Sequence, residues 1–228
     1  MRTTRSMVAL AAAAALTAGA SGVFANTATG TVTHLAGTLS AKKADGSTRV
    51  LSPRSEVASG DTLSTERESH AQIRFGDGAQ VTLKPSSSFR IDNFGFAKDK
   101  PKEDSFLTTV LAGGLRIVTG LVASRNRSKF RMGTATATIG IRGTTFSTHD
   151  CIASQCAGLK PAVYVGVSNG SIIVRNEAGQ LQLAAGQFGI IEKGQRPRLT
   201  DNPGLAIAPP QAFLKPAASG KGSECVVR

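Results

Sequence analysis

Tryptophan is absent from this chain of 228 residues, and Tyr164 is its only tyrosine. Ten phenylalanines remain, yet the aromatic platforms on which single-stranded nucleic acids and many sugars stack are largely missing. Acidic residues are scarce too: 15 Asp plus Glu face 27 Lys plus Arg, a formal charge of +12 at pH 7. That balance excludes an acid-rich calcium binder and an acidic disordered tail, and it directs attention to anionic partners. Only three histidines and three cysteines are available for chemistry. Against these shortages, 40% hydrophobic and 18% charged residues suffice for one folded domain with an ordinary core. Twenty-five glycines and nine prolines call for many turns.

Residues 1–25 read as an export leader. Arg2 and Arg5 make a basic start, residues 7–16 are an uninterrupted apolar run, and small residues follow. A membrane-spanning helix takes about 20 apolar residues. This run is shorter, so a cleaved leader without a transmembrane anchor is expected. Cleavage after Ala20 or Ala25 satisfies the small-x-small rule, and Ala25 leaves the more natural distance from the apolar run. The mature protein is accordingly expected in the periplasm or secreted.

Export places the cysteines in oxidising surroundings. Cys151 and Cys156 flank a short loop and are expected to form a local disulfide. His149 and Asp150 beside them suggest a metal site, but only one imidazole is at hand and no second cysteine pair follows. Cys225 is left as an odd thiol.

Beyond the leader the pattern alternates with period two, and no helical stripe persists for more than about two turns. An all-β chain follows, with many short antiparallel strands in a sandwich, roll or stacked β-coil. Ala71, Ile73 and Phe75 share one face before Gly76-Asp77-Gly78, and Ala79, Val81 and Leu83 follow it. A two-residue turn would set Phe75 opposite Gln80 and mix the faces. A three-residue loop instead pairs Phe75 with Ala79, Ile73 with Val81 and Ala71 with Leu83, with Gly78 at the left-handed position. A second hairpin is expected at Asn169-Gly170, facing Val167 to Ile172 and Val165 to Val174. The reversal at residues 176–179 then sets Val174 against Leu181 and Ile172 against Leu183. Further strands are expected at 30–35, 89–91, 115–119, 129–132, 134–139, 144–148 and 188–192. Residues 98–104 read as a charged exposed loop and 106–111 as a candidate helical turn. From Asp201 the chain turns to Pro, Ala and Gly and cannot bury a core of its own.

Catalysis finds little support. Gly133, Gly140 and Gly143 fit neither dinucleotide nor phosphate-loop spacing, and the surrounding alternation is that of strands. Of His34, His70 and His149, only His149 adjoins an acid. On a strand, neighbours such as His149 and Asp150 point to opposite faces and cannot form an orienting pair. No nucleophile elbow is present. No catalytic residue, metal ligand or cofactor is therefore expected. The strongest physical feature is basic: Arg125, Arg127, Lys129 and Arg131 alternate and would share one face of a regular strand. Such a row could hold anions, or it could simply guard an edge strand with solvated charge.

The ordered set of motifs resembles the FecR domain family, in a free-standing exported form. Gly60-Asp61-Thr62-Leu63 and the segment from Ala71 to Leu83, with its Asp77-Gly78 turn, are similar to the family's opening half. Leu111-Ala112-Gly113-Gly114-Leu115-Arg116 and Thr138-Ile139-Gly140-Ile141-Arg142-Gly143-Thr144-Thr145-Phe146 resemble its middle. Asn169-Gly170-Ser171-Ile172 and residues 183–187 resemble its end. The resemblance implies a non-catalytic β domain at residues 29–192; the composition beyond it makes residues 193–228 a flexible tail. It also implies signal relay or binding in the bacterial envelope through protein contacts. The family's regulators carry a sigma-binding domain and a membrane helix ahead of this module, whereas a leader precedes Thr29 here, so direct capture of a sigma factor is not expected. The alternative reading is adhesion to an anionic envelope polymer, lipopolysaccharide or cell wall, through the basic row.

Overall fold

The computed structural model describes residues 29–152, 156 and 158–204. The expected leader, Cys225 and the tail beyond residue 204 lie outside them. The strands are β1 (Gly30–Ala36), β2 (Leu39–Lys42), β3 (Thr48–Leu51), β4 (Glu56–Val57), β5 (Thr62–Thr65), β6 (His70–Phe75), β7 (Gln80–Leu83), β8 (Ser88–Gly95) and β9 (Ser105–Val118). A short helix α1 (Leu121–Arg125) and a single 3₁₀ turn (Arg127–Lys129) interrupt the series. Then come β10 (Phe130–Gly133), β11 (Thr138–Asp150), β12 (Val163–Asn176), β13 (Gly179–Ala184), β14 (Phe188–Ile191) and β15 (Arg198–Thr200).

All fifteen strands are hydrogen-bonded into one sheet, and the sheet folds over on itself. Its alternating strands carry apolar residues on one face, and a flat sheet of this width would leave that face in water. The fold-over is made by the three long strands, which change partners partway along. Residues 105–112 of β9 pair with β8 and β10, and residues 113–118 pair with β7 and β11. Likewise β12 pairs with β14 through residues 163–166 and with β13 through residues 171–176. Two layers result, and both contribute to a single core. Phe75 of β6 meets Phe106 of β9 at 4.9 Å between ring centroids, and Phe106 stacks on Phe130 of β10 at 5.0 Å.

The β6–β7 hairpin has the expected register. Ala71 faces Leu83 and Ile73 faces Val81; the Phe75 N–H donates to the Ala79 carbonyl, and Gly78 has φ +87°. The β12–β13 reversal also pairs Ile172 with Leu183 and Val174 with Leu181.

The Asn169-Gly170 hairpin does not form. Residues 163–176 are one strand, paired along its length with β11, and the register shifts between Arg142 and Thr145 opposite Ser171 and Asn169. A tight turn and a one-residue bulge both restore the apolar face after an odd number of residues, so the pattern Val165, Val167, Ile172, Val174 suits either. Gly143 and Gly170 take φ of +61° and +76°, and a Cβ on Gly170 would collide with the Gly143 carbonyl oxygen. The two strands therefore bend together where their glycine backbones touch.

Four further expectations are corrected. Residues 106–111 are not helical; they form the first half of β9, where Phe106 and Val110 point into the core. The expected strand at 134–139 begins only at Thr138, because the Thr134 hydroxyl and N–H close a turn on the Ala137 carbonyl. Strands are neither uniformly short nor all antiparallel: β10 runs parallel to β9, reached through α1. The sheet also extends past residue 192, since β15 pairs with β14.

Candidate functional site

The turns singled out in the sequence prove to be anchors of the fold. Asp61 is 1% exposed and accepts from the Ala58 N–H and the Arg49 guanidinium, the latter at 2.7 Å. Beside it Gly60 has φ +89°, and its N–H donates to the Ile91 carbonyl. Asp77 accepts from the Ala79 N–H at 3.0 Å and from the Val122 N–H at 3.2 Å, which ties the hairpin loop to α1. Burial raises its pKa above the ordinary carboxylate value, against the lowering by these hydrogen bonds. The Thr144 hydroxyl donates to the Ser171 carbonyl at 2.7 Å beside the paired bend.

The basic row is rearranged. Arg125 ends α1, Arg127 and Lys129 lie in the 3₁₀ turn, and Arg131 is on β10. They do not share one strand face. Arg125 is diverted to a structural role: its guanidinium donates to the Lys98 carbonyl at 3.0 Å, lies 4.0 Å from the fully buried Asp104 carboxylate, and stacks 5.0 Å from the Phe96 ring centroid. The side chains of Arg127 and Arg131 instead join Arg142 and Arg175 around an open groove of about 750 Å³ on the outer face of β10 to β13.

Strand register explains this assembly. Met132 pairs with Ile139 and Gly133 with Thr138, so Arg131 falls beside Gly140. Gly140 pairs with Ile173, which pairs with Gln182. Arg142 lies one row to one side, opposite Ser171, and Arg175 one row to the other, opposite Thr138. Rows on one face of a strand repeat about every 7 Å. Three arginines thus occupy three successive rows on neighbouring strands, with Gly140 at the centre, where a side chain would have open space above it. Ile173 is 41% exposed and forms the apolar floor, whereas Phe130, at 1%, presents no ring face. No carboxylate lines the groove. Among the described residues no ion pair involves Arg127, Arg131 or Arg142. Only Arg175 is engaged, by Gln180 at 2.8 Å.

Arg142 and Arg175 escaped the sequence reading. Each is an outward residue directly after a buried apolar one, Ile141 and Val174, a legible signal on its own strand. Their meeting with Arg131 depends on strand pairings that no local pattern specifies.

The opposite outer face carries a polar row. Gln72, Thr82, Arg116 and Ser147 are cross-strand neighbours on β6, β7, β9 and β11. In the next row, His149 lies over the backbone of Gly114, so closely that a Cβ there would collide with the ring. Burial, aided by Lys84, lowers the His149 pKa to about 4, and its Nδ1 has no hydrogen-bond partner. The imidazole is held neutral in this half-buried setting. His34, two strands from Thr82, bonds Gln72 at 2.9 Å. Nearby, Cys151 and Cys156 are joined by a disulfide, and Cys151 packs with Tyr164, Phe188 and Ile190 in a small satellite core.

The family model described as FecR protein matches residues 61–172. Two crystal structures of a candidate anti-sigma factor from Parabacteroides distasonis ATCC 8503 are similar in outline. One has TM-score 0.47 and 17% identity, the other 0.46 and 16%; each comparison covers 61% of this chain and 59% of the other. The chain thus spans under two thirds of their length. No curated protein matches the chain. No helix among the described residues is long and apolar enough to cross a membrane.

Proposed function

The chain carries a FecR domain over residues 61–172, and from that premise we propose that it is a non-catalytic signal-relay module, exported to the bacterial envelope and working through protein contacts. The observation that carries this reading is the family match, which falls on an all-β body. The leader-like residues 1–25 support export. Polymer adhesion through a regular basic strand face has less behind it, because Arg125 is committed to Asp104 and the Lys98 carbonyl.

The test is genetic. Deleting the gene should alter a defined set of transcripts, and complementation should need residues 1–25. A leaderless chain that restores the pattern, or a deletion without transcriptional consequence, would overturn the proposal.

A further inference from the structure

We propose that the arginine groove docks an extended acidic segment of a partner protein, with carboxylates held by Arg142, Arg131 and Arg175 and an apolar side chain seated over Gly140 against Ile173. This rests on reading the domain as a protein-binding relay module. It adds where the partner docks and what chemistry the partner presents.

Three observations select that occupant. The first is charge: arginines from three strands converge with no carboxylate among them, and guanidinium forks suit carboxylates well. A second copy of this chain is disfavoured, since the protein carries +12 at pH 7 and like charges would meet. The second is spacing. The arginine rows repeat about every 7 Å along β11, the interval at which alternate side chains of an extended peptide recur. A segment laid along β11 over the groove would present a side chain to each row, as strands do when one sheet packs on another. The third is the floor. Ile173 is 41% exposed and Gly140 leaves space above the sheet, which suits an apolar side chain. Sugars commonly stack on accessible aromatic rings. The sole ring lining the groove belongs to Phe130, which is buried, so a peptide is favoured over a charged glycan.

The test uses the full chain and a fluorescein-labelled Glu-Leu peptide of about twelve residues that repeats Glu-Ser-Leu-Ser, so that Glu and Leu follow each other on one face of the extended segment, titrated by fluorescence anisotropy. Arg131→Glu with Arg142→Glu should weaken binding about tenfold or more. Ile173→Ser should weaken it by roughly threefold through lost apolar contact. Lys98→Glu with Lys102→Glu, which changes net charge equally in an exposed loop, should leave binding within about twofold. A Gln-Leu peptide should not bind. Arg131→Gln with Arg142→Gln, checked for an unchanged circular dichroism spectrum, serves if charge reversal prevents folding, and it should also weaken binding. Equal losses from the groove and loop pairs would reduce the effect to net charge and overturn the proposal. So would binding that ignores the groove variants, or lipopolysaccharide binding that depends on the groove while the Glu-Leu peptide fails to bind. The relay reading depends on the export-dependent transcript response and is untouched by any outcome of this titration.

Discussion

Asp77 and His149 show how single side chains set local stability. Asp77 binds the Ala79 N–H in the hairpin loop and the Val122 N–H in the first turn of α1, so Asp77→Ala strands both buried donors. The expected cost is about 2 kcal/mol, read as a lower urea midpoint with unchanged slope; an effect below about 0.5 kcal/mol would contradict the anchoring role. His149 has a folded pKa of about 4, below its ordinary 6.5. Between those values the unfolded chain binds a proton that the native chain refuses, so stability rises with pH across this window. The contribution is complete above about pH 6.5 and falls as the solution is acidified toward 4, by up to about 3 kcal/mol. His149→Asn should flatten that slope in urea unfolding measured from pH 4 to 7. Equal slopes in both proteins would show that another group is responsible. The buried turn aspartates could be picked out by their neighbouring glycines. The burial of His149 could not, because it depends on Gly114 arriving beneath the ring from a strand 35 residues earlier.

Among the elements, the paired bend of β11 and β12 is the most exposed to test. Both Gly143 and Gly170 hold left-handed backbone, but only Gly170 faces an obstruction. Gly143→Ala should therefore cost about 1 kcal/mol from backbone strain, and Gly170→Ala clearly more, in the same denaturation assay. A reversed order would argue against the bulged strand. Cys151→Ser with Cys156→Ser should lose at most about 2 kcal/mol, because the closed loop is short. The β6–β7 hairpin could be read in advance because its register rule is local. The bend could not: odd spacing between apolar residues describes a turn and a bulge alike, and the partner strand decides between them.

Across the whole molecule, folding one sheet into two layers leaves two outer faces of different character. The face of β10 to β13 carries convergent positive charge, while the other carries a half-buried polar row and the disulfide-linked satellite core. Attraction to the groove should be screened by salt. Binding of the Glu-Leu peptide is therefore expected to weaken steadily from 50 to 500 mM NaCl, and a salt-independent affinity would point to purely apolar docking. Intact mass of the exported protein should correspond to a chain beginning at Asn26; retention of Met1 would remove the leader.

The fold class, the loop register at Gly76-Asp77-Gly78 and the family resemblance were present in the linear chain, because alternation, turn chemistry and motif order are properties of near neighbours. The meeting of Arg131 with Arg142 and Arg175, the loss of Arg125 to Asp104 and the unbroken β12 were decided only by tertiary structure. Each depends on which strands lie side by side, and that choice is made by burying a shared apolar face, to which every strand contributes and no short segment specifies.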